Sequence, residues 1–347
     1  MSTMKRLAAL AVMTAFALAF AATALASYTP KLVVSQAADK TTIHVTIPKA
    51  DDSTAALVIY APAGLAATLN QAPGTPIGTV TASVNAKAIS PDAILPLTGT
   101  TVVANQADPA IMAAATACTH TTTHAATWAL VLTAAGQTLN VPAFVDPTSG
   151  AEAALGSTRI QVCLPSPDVP VAQGGATFGA KLLDVNFTVQ GIFATSTAPL
   201  SAWLATFIPY VAGTATVNPA GHVSVAGIQA MASIAFAAKA AKGHRAAFSG
   251  KVTAGGVPAP GQPIGIYWGS KKVASATTGA TGGFSAVAKL KKGTYTFRAK
   301  LTAADTDVTA QACALVPAAA IPAIGPCVSA TAAGGIAFSS SVRLKVK

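Results

Sequence analysis

The segment Cys118-Thr-His120-Thr-Thr-Thr-His124 is the densest group of chemistry-bearing side chains in this 347-residue chain. On an extended strand, where side chains alternate with a period of two, Cys118, His120 and His124 would share one face. One thiolate and two imidazoles make a zinc donor set. An oxidised Cys118 removes that option, and no carboxylate is adjacent in sequence. The expectation is therefore two surface histidines on a Thr-rich strand and no metal; His44, His222 and His244 are isolated. Carboxylates are scarce. Glu152 is the sole Glu, in a Gly/Ala-rich loop, and Asp51-Asp52 reads as a turn. Glycoside hydrolysis needs two carboxylates flanking the bond. No G-x-S-x-G elbow, phosphate-binding glycine loop or H-E-x-x-H is present. No catalytic residue and no cofactor are expected, with a hydrolase built from distant residues as the least favoured alternative. Trp203, Tyr210, Tyr267 and Trp268 are the aromatics that could form a sugar platform, against core packing as the default.

The elements that must position these residues read as short strands. Lys31-Leu-Val-Val-Ser35 and Thr41-Thr-Ile-His-Val-Thr-Ile47 alternate around a turn at 37–40. Runs at 55–60, 77–84, 127–133, 138–145, 159–164, 181–189 and 203–211 continue the pattern between Gly/Pro turns. Asp108-Pro109 followed by Ala-rich residues opens the one strong helix, since Asp caps and Pro suits the first helical position. The fold class is all-β: a sandwich region over 27–235, of one or two units with a split near 98–108, then a basic linker at 236–245 and a second sandwich at 246–347.

The termini and cysteines bear on location. Lys5 and Arg6, an apolar run from Leu7 to Leu25 and Ala24-Leu25-Ala26 make a signal peptide over 1–26. The alternative is an uncleaved anchor, because the run approaches the roughly 20 residues that span a bilayer. The mature chain has no second such run. The C-terminal Ser341-Val-Arg-Leu-Lys-Val-Lys347 alternates like a strand and has no hydrophobic tail, so the expected product is secreted, extracellular or held non-covalently in the cell envelope. Four cysteines in an exported chain read as two disulfides. Of the three pairings, Cys118–Cys163 with Cys313–Cys327 keeps each bridge inside one region, each stabilising by roughly 3–4 kcal/mol in the loop-entropy picture.

Charge divides the chain. Residues 27–234 carry six Lys/Arg against nine Asp/Glu, whereas 235–347 carry fourteen Lys/Arg and two Asp. An anionic partner for the C-terminal third follows, against plain solubility charge as the alternative. Within it, Phe284, Ala286, Ala288 and Leu290 fall on one strand face and Tyr295, Phe297, Ala299 and Leu301 on another, forming a core. Lys289, Lys291, Arg298 and Lys300 take the opposite faces, with Lys271, Lys272 and Lys292 in adjoining turns. On one shared sheet these cations make a single stripe; on opposing sheets they are split.

Phe248-Ser-Gly-Lys-Val-Thr253, Gly256-Val-Pro-Ala-Pro-Gly261, the strand to Trp268, Gly282-Gly-Phe-Ser285 and Gly293-Thr-Tyr-Thr-Phe-Arg-Ala299 follow one another over residues 246–301. This resembles the bacterial Ig-like and carboxypeptidase-regulatory-like modules of secreted proteins. The resemblance implies a small sandwich serving as spacer, adhesin or ligand platform, and says little of which. It implies a corner in which Tyr295 bonds back across the chain. Some such modules crosslink Lys to Asn beside a Glu; this one has neither Asn nor Glu from 246 onward, so no crosslink is expected. The functional expectation is a secreted or surface-associated, non-catalytic structural or adhesion protein, its basic module docking on an anionic cell-wall polymer or polysaccharide. The alternative is a carbohydrate-binding protein. No specific nucleic acid is expected as a partner.

Overall fold

The computed structural model describes residues 28–347 except positions 38, 88, 91, 135, 174, 178, 197, 199 and 317–319. The expected signal peptide at 1–26 lies outside the described residues. Among those described, no helix is long and apolar enough to cross a membrane.

The N-terminal strands are β1 (Lys31–Ala37), β2 (Lys40–Thr46), β3 (Thr54–Ala61), β4 (Pro76–Asn85), β5 (Ile94–Val103), β6 (Ala126–Ala134), β7 (Gln137–Pro147), β8 (Thr158–Cys163), β9 (Lys181–Gln190), β10 (Leu200–Pro209) and β11 (Val223–Ala230). Helix α1 (Pro109–Thr119) starts where expected, with the Asp108 carboxylate accepting from the Ala110 N–H at 2.8 Å. It runs on through Cys118 and ends at His120, whose φ of 60° is left-handed. The extended reading of 118–124 is thus corrected: the capped, Ala-rich helix continues into this segment and Cys118 sits in its last turn.

The C-terminal strands are β12 (Ala232–Ala241), β13 (Arg245–Ala254), β14 (Val257–Pro258), β15 (Pro263–Trp268), β16 (Lys271–Thr277), β17 (Gly283–Lys289), β18 (Gly293–Ala303), β19 (Thr306–Asp307), β20 (Cys327–Ala332), β21 (Gly335–Phe338) and β22 (Val342–Val346). Short helices α2 (Thr309–Ala312) and α3 (Ile321–Ile324) lie between β19 and β20.

The protein is all-β and built as sandwiches. One sheet runs β1-β2-β9-β4-β5-β6-β7-β8-β3-β10-β11-β20-β19. It folds over on itself, so that β1 lies close across β11: a Cβ on Gly227 of β11 would stand 3.1 and 3.2 Å from Leu32 and Val34. One hydrophobic cluster lines the enclosed space. No division falls at 98–108, because β5 crosses 98–103 hydrogen-bonded to β4 on one side and β6 on the other. Pro96 hides this strand in the sequence. It is tolerated because β6 joins β5 only from Thr98 onward, leaving Pro96 paired on one side.

The expected linker 236–245 is strand and turn. β12 pairs along its whole length with β13, from Ala232↔Ala254 to Ala241↔Arg245. The second sandwich is therefore made of β12-β13-β14 with β17 in one layer, and β16-β15-β18-β21 with β22 in the other. Phe248, Phe284, Tyr295, Phe297, Ala299 and Leu301 are buried between them, as the alternation requires. The Tyr295 hydroxyl donates to the Lys291 carbonyl at 2.7 Å, closing the corner between β17 and β18.

The region 304–334 leaves this sandwich and joins the large sheet. β20 runs parallel to β11, and the Ser329 hydroxyl donates to the Pro30 carbonyl at 2.6 Å. Ile324, 1% exposed, packs on Tyr60 and Leu204 on the outer side of the large sheet. Both expected disulfides are present, Cys118–Cys163 and Cys313–Cys327. The second bridge does not clamp a loop of the C-terminal sandwich. It closes the excursion that binds the two sandwiches together.

Tyr60 also donates to Glu152 at 3.3 Å. Burial first, then the charge of Glu152, pushes its phenol up to about 12 from 10.0. A raised phenol pKa contributes in full below pH 10 and is lost as pH rises through the folded value. The stability advantage of the native protein over Tyr60→Phe will therefore shrink between about pH 10 and 12, by up to about 2 kcal/mol, measured by urea unfolding at stepped pH. A constant difference would refute this.

Candidate functional site: a basic face on the C-terminal sandwich

β17 and β18 belong to opposing layers, so the seven cations expected as one group are divided. Lys289 lies on β17 opposite Arg245 of β13, in the other sheet. Lys291 and Lys292 occupy the turn between the layers, and Lys271 stands at the β15–β16 turn opposite Trp268. Of the two arrangements the sequence leaves open, the cations take the split one, on two faces. Chain reversal at Leu290–Lys292 carries the strand from one layer to the other, so alternation on each side serves a different sheet.

One face remains dense. On β18 the inward set is Tyr295, Phe297, Ala299 and Leu301, which turns Arg298 and Lys300 outward. Strand pairing then places their neighbours. Tyr267 of β15 lies beside Arg298, and Lys272 of β16 lies beyond Tyr267. Phe338 of β21 lies beside Lys300, and Arg343 and Lys345 of β22 lie opposite Thr296 and Thr294. The rows from Thr294 to Lys300 span about 20 Å at ~3.4 Å per residue. The sequence reading omitted Arg343 and Lys345. Their alternation at 341–347 marked a strand, but nothing local said that β22 would pair with β18.

Phe338 on this face is flanked by two cations. The Arg298 guanidinium carbon and the Lys300 Nζ lie 5.8 and 5.9 Å from the Phe338 ring centroid, with Phe338 57% exposed. Such contacts fix two long side chains above the sheet. Beside them is a shallow groove of about 390 Å³ lined by Gly265, Tyr267, Lys272, Ser275, Lys300 and Thr302. Gly265 is its floor. A Cβ there would come within 2.6 Å of the Tyr267 ring, so glycine lets the ring lie flat across the strand. Gly265→Ala will displace that ring and change the near-UV tyrosine signal while leaving far-UV circular dichroism unchanged; an unaltered near-UV signal would refute this.

No carboxylate neutralises this surface. Among the described residues, every ion pair joins groups between His44 and Asp184, and Asp305 and Asp307 are the only acidic residues after 246. Of the other proposed platform aromatics, Trp203 and Tyr210 are buried, whereas Trp268 is partly exposed and packs edge-on against Tyr295.

The histidine cluster takes a different form. His124 Nδ1 meets Asp146 at 2.8 Å and its Nε2 meets the Thr119 hydroxyl at 3.0 Å. The order hydroxyl–imidazole–carboxylate is that of acyl-transfer triads. Here the Thr119 hydroxyl bonds the Ala115 carbonyl at 2.8 Å, one helical turn back. The His124 side chain is 1% exposed and its ring lies 4.8 Å from Phe144. With Arg159 bridging Asp146 and Glu152, the network anchors the end of α1 beside the Cys118–Cys163 bridge. Among the described residues no cluster of three or more His, Cys, Asp or Glu could hold a metal ion.

No family model matches the chain, and no curated protein matches it in sequence.

Proposed function

We propose that this is an exported, non-catalytic adhesion or structural protein whose C-terminal, Ig-like sandwich docks on an anionic envelope polymer through the outer face of β16-β15-β18-β21/β22. The observation that carries this reading is the un-neutralised set Lys272, Arg298, Lys300, Arg343 and Lys345, interleaved with Tyr267 and Phe338 on one sheet face. Cations that serve solubility alone are ordinarily mixed with carboxylates. A one-signed patch instead attracts a polymer of opposite sign, and release of the polymer's condensed counterions drives binding. The strand spacing of about 4.8 Å and the exposed rings suit a chain of alternating charged and sugar-like units.

The test is retention of the full mature chain on immobilised dextran sulfate over a salt series, with neutral dextran as the comparison. Binding that falls steeply between about 50 and 200 mM salt supports the proposal. Salt-insensitive binding to the neutral dextran would replace it with the carbohydrate-binding alternative. Retention on neither would overturn both.

A further inference from the structure

We propose that the N-terminal sandwich is a carrier site for a neutral, single-chain hydrocarbon ligand such as a fatty alcohol or acyl ester. This does not depend on the polymer-binding reading, and it concerns different residues.

The folded-over sheet is not filled evenly. At one end the core is aromatic: Trp128 and Phe187 lie 6.0 Å apart and Phe193 and Trp203 5.1 Å apart. At the other end lies a cavity of about 520 Å³. Its walls come from eight consecutive strands of the sheet, β2 to β3 through β9 and β4–β8. Val80, Val84, Leu97, Leu132, Leu139 and Val162 are representative of the lining. Phe187 at the bottom is the single aromatic among the described lining residues. Cavities of this volume fall in the range that small-molecule sites occupy. Aliphatic voids also stay dry and take up apolar guests.

The length of the cavity suits an extended chain. Along β4 the lining runs from Val80 to Ala86, about 20 Å deep at ~3.3 Å per residue. A volume of about 520 Å³ over that length has room for one single-chain guest. Chemistry at the mouth selects the head group. Among the described residues the lining holds no charged side chain; its polar members Gln137, Thr138, Asn140 and Thr177 are neutral. Ile89, 68% exposed, stands there in the loop after β4. The two cations adjacent in sequence to lining residues are engaged elsewhere: Lys87 is paired with Asp168 at 2.5 Å, and Lys181 donates to the Lys49 and Asp51 carbonyls. A carboxylate or phosphate head would find uncharged amides and hydroxyls, whereas a hydroxyl or ester head can use them.

The test uses the full mature chain and the fluorescent probe N-phenyl-1-naphthylamine, displaced by 1-alkanols. The expected result is saturable enhancement near one probe per chain. Displacement should strengthen about fourfold per added methylene until the chain fills the cavity, and 1-dodecanol should compete better than dodecanoate. Leu132→Trp, which occupies the cavity, should lower probe affinity at least tenfold. Leu139→Trp, on a half-buried position near the mouth, is the second variant should the first fail to fold, with circular dichroism reporting folding. Absence of enhancement would overturn the proposal. So would enhancement unaffected by a folded Trp variant, or better displacement by dodecanoate than by dodecanol, which would refute the neutral head.

Discussion

Replacing Arg298, Lys300 and Arg343 together by Gln will lower affinity for dextran sulfate about a hundredfold at 0.15 M salt, from about 1 kcal/mol per basic residue at an anionic surface. It will also flatten the salt dependence by about one unit of slope per residue removed. The residues are chosen because strand pairing sets them on adjacent strands of one face, Arg343 opposite Thr296 and Lys300 opposite Phe338. The matched control is Lys239, Lys251 and Lys289 to Gln. These belong to the β12-β13-β17 layer, where Lys251 faces Gly283 and Lys289 faces Arg245 across the β13–β17 pair. Both variants remove three charges, so net charge cannot distinguish them. If the polymer docks on the β18 face, the control changes affinity less than about threefold, within the small effects typical of rim charges. Equal losses in the two variants would mean that the whole module attracts polyanions diffusely and that no docking face exists. Substitution at exposed strand positions costs little stability, so unfolding midpoints should stay close to native in both.

Ile324→Asp will uncouple the two sandwiches. Ile324, 1% exposed, is the largest of the fully buried side chains described in the 304–334 excursion and is seated on Tyr60 and Leu204 of the large sheet. Truncating a buried aliphatic of this size costs about 2–5 kcal/mol, and the carboxylate adds the penalty of an unpaired charge. The excursion contributes β19 and β20 to the large sheet while its two ends belong to β18 and β21 of the other sandwich. Its release therefore removes the hydrogen-bonded tie between them. Calorimetry should show one cooperative transition in the native chain and two in the variant, with β20 amides losing protection from hydrogen exchange. Ile321→Asp, three residues earlier at a position 40% exposed, should shift stability by less than about 0.5 kcal/mol. A single transition persisting in Ile324→Asp would show that other contacts hold the sandwiches together.

Much of this was written in local pattern. The period-two runs at 31–35, 41–47, 127–133 and 181–189 correspond to strands β1, β2, β6 and β9 because alternating apolar residues can bury one side of a sheet. Asp108-Pro109 started the helix because a capped first turn needs little else. The inward set on β18 followed from the same alternation, and with it the outward direction of Arg298 and Lys300.

What the residues could not decide was partnership. Lys289 and Arg298 look equivalent on their own strands and lie in opposing layers, because layer membership is set at the β17–β18 corner and by pairing with strands far away in sequence. Arg343 entered the basic face because β22 pairs with a strand about fifty residues earlier. The 236–245 segment read as a linker because its Lys and Ala residues carry little apolar signal, and β13 made it a strand. The cavity had no local trace either: its leucines and valines are ordinary strand residues. Only the path of the sheet decides whether such faces meet in contact or stay apart around a void. Alternation specifies which side of a strand is apolar, and long-range hydrogen bonding specifies what that side faces.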